Sequence, residues 1–403
     1  MRKMKVKAGL ALLALASSAV LVACGGGGGD AAITPTASAT GTLQVSLTDA
    51  PACGFDQVNI TVDRVRAHQS MTAGDNDTGW KEIVLSPAKK IDLLPLQNGA
   101  LLDLGQTSLP AGPYTQMRLV LVSNGAKPMS NTVKPTGQSE VEMDTPSGMQ
   151  SGLKLFNSFT VEAGKTTSIV LDFDACKSVV QRGNSSYGLK PVIQMMGMTK
   201  TAISGYVQSS LTNVSVSAQK AGVVVKATKP DSTGKFVLAP LDPTKGPYDV
   251  VITGPTLTTS VIAAVAVTPE QTTQLNAAAD AIAVPISPNG TVTGNVGPAL
   301  ARDTAVVRAL QAVGSLAAVE VAHVNVTAST GDYSLVLPTA APRLVTYTTP
   351  WNMPITFVAQ GGAGSYKLEA GATGYDKQLG SSLINVTAGA TVGSQYFTLT
   401  KTP

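Results

Sequence analysis

Three aspartates at the ends of two apolar segments have the residue type and spacing for chemistry. Asp49 ends the alternating segment GTLQVSLTDAP, while Asp172 and Asp174 lie two residues apart in LDFDAC. Residues two apart on a strand face the same side, so these two carboxylates point together. If the first and the late strand are neighbours, all three carboxylates become oxygen ligands for a hard cation. Two on one face are fewer than calcium usually requires, so the alternative is turn capping and solvation.

Cys24 ends an N-terminal segment with the pattern of an export signal: a basic start, an apolar run from Ala8 to Val22, and small residues. The run is shorter than the roughly 20 residues of a spanning helix. LVAC at 21–24 resembles the bacterial lipobox, which implies cleavage between Ala23 and Cys24 and acylation of the cysteine. Several acyl chains give stable attachment to the lipid bilayer. The alternative is an ordinary secretory signal with a chance cysteine.

The residue after the cysteine bears on the location of the protein. It is Gly25 rather than Asp, which resembles the default outer-membrane sorting pattern of Gram-negative lipoproteins. The sequence therefore predicts a lipid-anchored protein of the cell envelope, at the outer membrane.

The other two cysteines, Cys53 and Cys176, would lie in an oxidising, extracytoplasmic compartment. Both follow predicted strands of the same segment, so we expect a structural disulfide that closes a loop of about 120 residues. The alternative is a reactive thiol pair, but neither cysteine has a neighbouring histidine or a CxxC partner.

The formal net charge of +4 disappears with the signal. The first 23 residues carry four basic side chains and no acidic one, so 25 Lys and Arg remain against 25 Asp and Glu. A neutral chain offers no electrostatic basis for binding nucleic acid. The stretch 24–41, with five consecutive glycines, is too poor in apolar residues to order itself and reads as a flexible linker.

Beyond the linker the pattern is that of an all-β protein. Val, Thr, Ser, Gly and Pro are abundant, and alternating apolar segments such as TLQVSL are separated by turn residues. Strand spacing predicts a β-sandwich after the linker, the length suits two or three domains, and the resemblances given below imply three tandem β-sandwich domains. The predicted organisation is a signal peptide at 1–23, the lipidated cysteine and linker at 24–41, and sandwiches at 42–199, 200–286 and 287–403.

The first sandwich resembles a known family in several ordered blocks. SLTDAP, VNITVDRV, IDLLPLQNG, LPAGPYTQMRLVL, PSGMQSGLKL, LDFDACKSVV and YGLKPVI are similar to the DUF4382 family of bacterial lipoproteins. The resemblance implies a secreted or surface-tethered, β-rich domain. It implies no catalytic residues, because the family has no established activity.

The remaining chain repeats a unit that resembles carboxypeptidase regulatory-like, transthyretin-like sandwiches. TAISGYV at 201 parallels GTVTGNV at 290, and DSTGKFVLAPL at 231 parallels ASTGDYSLVLP at 328. The second unit carries an insertion at 343–364. Its aromatic residues Tyr347, Trp351 and Phe357 either stack on a sugar ring or a partner surface, or pack on their own domain.

Three classes of function remain open. The leading one is a non-catalytic structural, adhesive or interaction module of the envelope, whose partners are the bilayer and a glycan or an envelope protein. The alternative is a carbohydrate-binding surface protein that uses the regulatory-like domains, by analogy of fold. The remote alternative is an unrecognised hydrolase, since glycoside hydrolysis needs only two carboxylates. With two histidines and no known catalytic motif, we predict no enzyme activity and no cofactor.

Overall fold

The computed structural model describes residues 39–50, 54–146, 151–155, 157–182, 186–351 and 353–402. The predicted signal peptide, Ala23, Cys24 and Cys53 lie outside these residues. Regular structure in the described part is almost all β, which confirms the predicted fold class. Among the described residues, no helix combines the length and apolar character that crossing a bilayer requires.

The first segment runs from β1 to β14, residues 40–197. It folds into two main sheets around one core. One has the strand order β14-β11-β1-β4, and the other has the order β12-β13-β8-β7-β2-β6-β9 with β3 on β2, while β5 pairs with β10. A short 3₁₀ helix spans Leu94–Leu96, and a helical turn spans Ala175–Ser178. The strands are β1 Thr40–Asp49, β2 Phe55–His68, β3 Lys81–Asp92, β4 Leu102–Pro110, β5 Gly112–Tyr114, β6 Gln116–Leu121, β7 Thr132–Pro135, β8 Val141–Asp144, β9 Leu153–Leu155, β10 Phe159–Val161, β11 Thr166–Phe173, β12 Val179–Arg182, β13 Ser186–Leu189 and β14 Ile193–Gly197.

Strand β1 shows how sequence alternation builds this core. Its alternate residues Leu43, Val45 and Leu47 are at most 1% exposed, because successive side chains of a strand point to opposite faces. The strand lies between β4, which runs antiparallel to it, and β11, which runs parallel. The parallel register places Asp49 opposite Phe173 and Thr48 opposite Asp172. The first and the late strand are therefore neighbours.

The second segment has a smaller core of its own, built mostly from residues between Ile203 and Val284. Its sheets have the orders β18-β15-β21 and β17-β16-β19-β20, and the second sheet continues with two strands described below. A 3₁₀ helix spans Ala278–Asp280. The strands are β15 Ala202–Tyr206, β16 Ser215–Lys220, β17 Val223–Thr228, β18 Lys235–Leu238, β19 Tyr248–Thr253, β20 Ser260–Val265 and β21 Thr272–Gln274.

The third segment forms the sheets β25-β22-β31 and β24-β23-β28-β29, with β30 on β28. A helical turn spans Ala299–Arg302. Its core also takes in Val251 and Val261 from the second segment, and Ala39–Pro403 form one compact unit. The strands are β22 Asn289–Gly297, β23 Val306–Gln311, β24 Val319–Asn325, β25 Asp332–Pro338, β26 Arg343–Thr346, β27 Val358–Ala359, β28 Ser365–Gly371, β29 Gln378–Leu379, β30 Ile384–Asn385 and β31 Thr391–Thr398.

The insertion in the third segment belongs structurally to the second. Strand β26 pairs in parallel with β20, and β27 pairs with β26, so both extend the sheet of the second segment. Phe357 is buried in the core of the second segment, and Tyr347, Trp351 and Ile355 pack against that core. The indole nitrogen of Trp351 donates to the carbonyl of Leu275 at 2.6 Å. The insertion thus covers an otherwise open sheet edge with apolar side chains.

Replacing Trp351 by alanine tests whether the insertion stabilises the second segment. The half-buried indole loses its packing and leaves a carbonyl unpaired, so we expect a loss of about 2–3 kcal/mol in the free energy of unfolding. Urea unfolding followed by circular dichroism measures it. Tyr396→Ala is the control, because that side chain is 72% exposed and should change stability by less than about 0.5 kcal/mol. Equal stability of the two variants would show that the insertion only rests on the surface.

Candidate functional site

A cavity of about 360 Å³ lies where the three segments meet. The charged groups of the first segment come from the end of β11 and the helical turn that follows it. Those of the second segment lie in or just after β17, and those of the third segment lie in β24. The charged or titratable lining residues are Asp172, Asp174, Lys177, Lys226, Lys229, Glu320 and His323. So many ionisable groups in a recessed site distinguish the junction from the apolar cores, and make it the candidate functional site.

A buried ion pair joins the first and second segments in this junction. The Nζ of Lys226 lies 2.6 Å from Oδ1 of Asp172, and the two side chains are 0% and 8% exposed. Burial raises the pKa of Asp172, and the charge and hydrogen bond of Lys226 oppose that rise. The pair satisfies two groups that burial alone would destabilise.

Asp49 lies at the end of β1, beside the same turn. Its Oδ1 accepts a hydrogen bond of 3.0 Å from the amide of Ala175, which lies two residues after the end of β11. Burial is the main reason that the pKa of Asp49 is raised well above its usual range, and the charges of Asp174 and Asp172 raise it further. Asp49 therefore holds the start of the Ala175–Ser178 turn through this hydrogen bond.

Asp174 caps that turn directly. Its Oδ1 accepts from the amide of Lys177 at 3.0 Å, and its Oδ2 lies 2.7 Å from Nζ of the same lysine. A carboxylate at this position satisfies amides that the short helix leaves unpaired.

The three aspartates lie at the same end of the paired strands β1 and β11, where the sequence offered them as ligands of a hard cation or as turn caps. Asp172 and Asp174 each contact an ammonium group, and Asp49 and Asp174 accept backbone amides. Calcium takes six to eight oxygen ligands and would be repelled by ammonium groups this close. The contacts correspond to the capping alternative, in which the carboxylates support the fold.

A second group that offers metal ligands is formed by Asp174, Cys176 and His323, whose ligand atoms lie within 4.8 Å of one another. Asp174 already binds both the amide and the ammonium of Lys177, and Cys176 is itself engaged. A metal ion at this group would compete with these contacts. Because Cys53 lies outside the described residues, its pairing with the buried Cys176 stays a prediction.

Glu320 is the central acid of the third segment's wall. Its carboxylate lies 2.8 Å from Nδ1 of His323 and 3.3 Å from the guanidinium of Arg308. Burial would raise the pKa of Glu320, but the hydrogen bond of His323 and the charges of His323, Lys177 and Arg308 lower it to about 2. Its carboxylate is therefore stably ionised.

Polar side chains bond to backbone groups across each of the three interfaces. Asn98 of the first segment bonds to Thr228, Lys235 and Val237 of the second. Gln219 of the second exchanges two hydrogen bonds with the backbone of Glu320 in the third, at 2.8 and 2.9 Å. Asn325 of the third donates to the carbonyls of Cys176 and Val179 in the first. Each segment is thus fixed to both of the others.

The aromatic residues of the insertion, for which the sequence left ligand contact and packing open, are engaged in packing. Phe357 is only 7% exposed, and Trp351 stacks on Tyr347 with ring centroids 4.9 Å apart. Trp351 also bonds to Leu275, so all three aromatic residues pack on the second segment, with Tyr347 and Trp351 partly buried. The packing considered from the sequence was on the third domain, which carries the insertion. The structure shows packing on the second segment.

The junction residues Lys226, Lys229, Glu320 and Gln219 were missed by sequence reasoning. A signal for one of them exists: Lys226 interrupts the apolar run VVVKAT, where an inward-facing charge requires a partner. The partner itself, 54 residues earlier in the chain, gives no local signal.

Comparison with protein families finds a match in the first segment of the chain. The model of a domain of unknown function, DUF4382, matches residues 40–191, which confirms the resemblance found in the sequence blocks. The resemblance of the two later units to regulatory-like sandwiches stays a prediction. No curated protein matches the sequence.

Two solved structures show a distant likeness. The Bacillus anthracis TIE protein is 11% identical over 90% of this chain and 51% of its own, with a TM-score of 0.18. A Streptococcal ancillary pilin is 11% identical over 90% of this chain and 99% of its own, with a TM-score of 0.17. The chain thus spans about half the length of the TIE protein, and TM-scores this low carry no argument about function.

Breaking the Lys226–Asp172 pair on one side should destabilise the whole protein. Asp172→Asn leaves a buried ammonium without its carboxylate, so we expect a loss of about 3–5 kcal/mol in the free energy of unfolding. The double variant Asp172→Leu/Lys226→Met should recover much of it. Glu162→Gln, in an exposed pair with Lys165, is the control and should cost less than about 1 kcal/mol. Stability equal to wild type in Asp172→Asn would contradict the role of the pair.

Glu320 should make stability depend on pH in the acid range. Its folded pKa of about 2 lies below the usual unfolded value near 4.3, so its stabilisation is present above that value and is lost as the pH falls toward 2. We expect the difference in unfolding free energy between wild type and Glu320→Gln to shrink by about 3 kcal/mol between pH 6 and pH 2. Urea titrations over this range measure it, with Glu162→Gln as control. A difference that does not vary with pH would contradict the account.

Proposed function

We propose that this protein is an outer-membrane-anchored envelope lipoprotein that acts as a non-catalytic structural, adhesive or interaction module. Acylated Cys24 holds it to the bilayer, and the residues between Cys24 and β1 serve as a leash. The observation that carries the proposal is the junction, where each of the three segments is bonded to the other two. Such a body presents a fixed surface at the end of the tether.

Side chains suited to catalysis make structural contacts through at least one polar atom each, which favours this class. Nδ1 of His68 accepts from the amide of Ser70 at 2.8 Å, and its Nε2 lies 3.0 Å from the carbonyl of Thr78. His323 is oriented by Glu320. The aspartates of the junction cap a turn or pair with lysines. None of these groups is left in the arrangement of a nucleophile with its base.

The partners of such a module are the bilayer, through the acyl chains, and an envelope protein or a glycan on the presented surface. The carbohydrate-binding alternative loses the support of Tyr347, Trp351 and Phe357, because these residues pack into the second segment. An interaction through the folded surface is therefore favoured over stacking on a sugar.

The tether is tested by Cys24→Ala in cells that process the wild-type protein. Without the thiol there is no acylation, so we expect the variant to leave the membrane fraction for the soluble fraction, and to lack the acyl mass of the mature wild type. Ser18→Ala, in the apolar run before the cut, keeps the cysteine and should stay in the membrane. A cleaved Cys24→Ala protein that remains membrane-bound would overturn the proposed anchoring.

A further inference from the structure

The charges that line the junction cavity are matched in pairs, with one exception. Asp172 pairs with Lys226 at 2.6 Å, Asp174 pairs with Lys177 at 2.7 Å, and Glu320 bonds to His323 and Arg308. The exception is Lys229, whose ammonium has no hydrogen-bond or ion-pair partner in the described part of the chain. Of the three lysines that line the cavity, Lys229 is therefore the one whose ammonium is not paired with a carboxylate of the described residues.

Lys229 is not an ordinary solvated surface lysine. It follows β17 at the interface between the first and second segments, where its amide donates to Oε1 of Gln97 at 3.4 Å. The side chain is half-buried, and burial alone lowers its pKa. A partly desolvated charge without a counter-ion is unfavourable, whereas the same charge strongly attracts an anion that enters the cavity.

The rest of the wall limits which anion fits. Asp172, Asp174 and Glu320 line the same cavity, so a dianion such as phosphate meets repulsion that a monoanion meets less. Side chains able to bond hydroxyl or amide groups, and apolar ones, complete the lining: Asn213, Ser215, Thr253, Val224 and Val225. This mixture suits a small molecule with one carboxylate and a body that is part polar and part apolar.

We propose that the junction cavity binds a small organic monocarboxylate, with the ammonium of Lys229 as its counter-ion. The two sources of such a group that fit the cavity are an acidic sugar and an amino-acid-sized carboxylate. The inference does not depend on the membrane anchor: loss of ligand binding and loss of membrane attachment are separate results.

Isothermal titration of the full-length protein in detergent tests it with three probes: sodium D-glucuronate, N-acetyl-L-alanine and neutral D-glucose. We expect saturable binding of at least one carboxylate, and none of glucose. Which carboxylate binds distinguishes the sugar source from the amino-acid source. Lys229→Gln should weaken binding at least about tenfold, the effect of removing one charge-assisted hydrogen bond. Lys235→Gln is the matched control, because Lys235 is exposed and does not line the cavity.

Three results would overturn the inference. They are no saturable binding of either carboxylate up to about 20 mM, equal binding of glucose, or equal affinity in wild type and Lys229→Gln. Thermal unfolding without ligand separates binding from folding. Lys229→Gln should melt no lower than wild type, because it removes an unpaired, desolvated charge. A clearly lower melting temperature would mean that Lys229 supports the fold instead, and would also overturn the inference.

Discussion

The ion pair between Lys226 and Asp172 constrains the rest of the structure most strongly. Each charge is buried by the other's segment, so neither group is stable in the interior unless both segments are already in place. Apolar contacts alone tolerate some sliding between two surfaces, but a buried charge pair at 2.6 Å does not. Polar contacts therefore fix the relative position of the first two segments: this buried pair, and the hydrogen bonds of Asn98 to Thr228, Lys235 and Val237.

The third segment joins the same arrangement through backbone groups. Gln219 and Asn325 each bond to main-chain atoms of a neighbouring segment, so the junction depends on the path of the chain and not only on its side chains. Glu320 connects the two kinds of contact, because its amide and carbonyl bind Gln219 while its carboxylate binds His323 and Arg308. Local folding and assembly of the three segments are consequently coupled.

Features that depend on neighbouring residues could be predicted from the sequence, whereas contacts between residues far apart in the chain could not. Alternation in β1 predicted a strand with one buried face, because side-chain direction has a period of two residues. Asp49, Asp172 and Asp174 lie at or beside the ends of two strands that were considered as neighbours, and β1 and β11 do pair in parallel. Their lysine partners were not foreseen, because a strand pattern indicates that a residue is buried and not what it faces. For the same reason Trp351 was recognised as notable but assigned to the wrong neighbour.

The strand pair β26–β27 has a consequence for how such a chain can evolve. The two repeated units look alike in sequence, as if either were free to be lost, duplicated or exchanged by recombination. Because the later unit supplies the outer strands and the aromatic cover of the earlier one, a crossover between them would leave the earlier sheet with an open edge. The heritable module is therefore the pair of units, and a lineage that carries one should carry both.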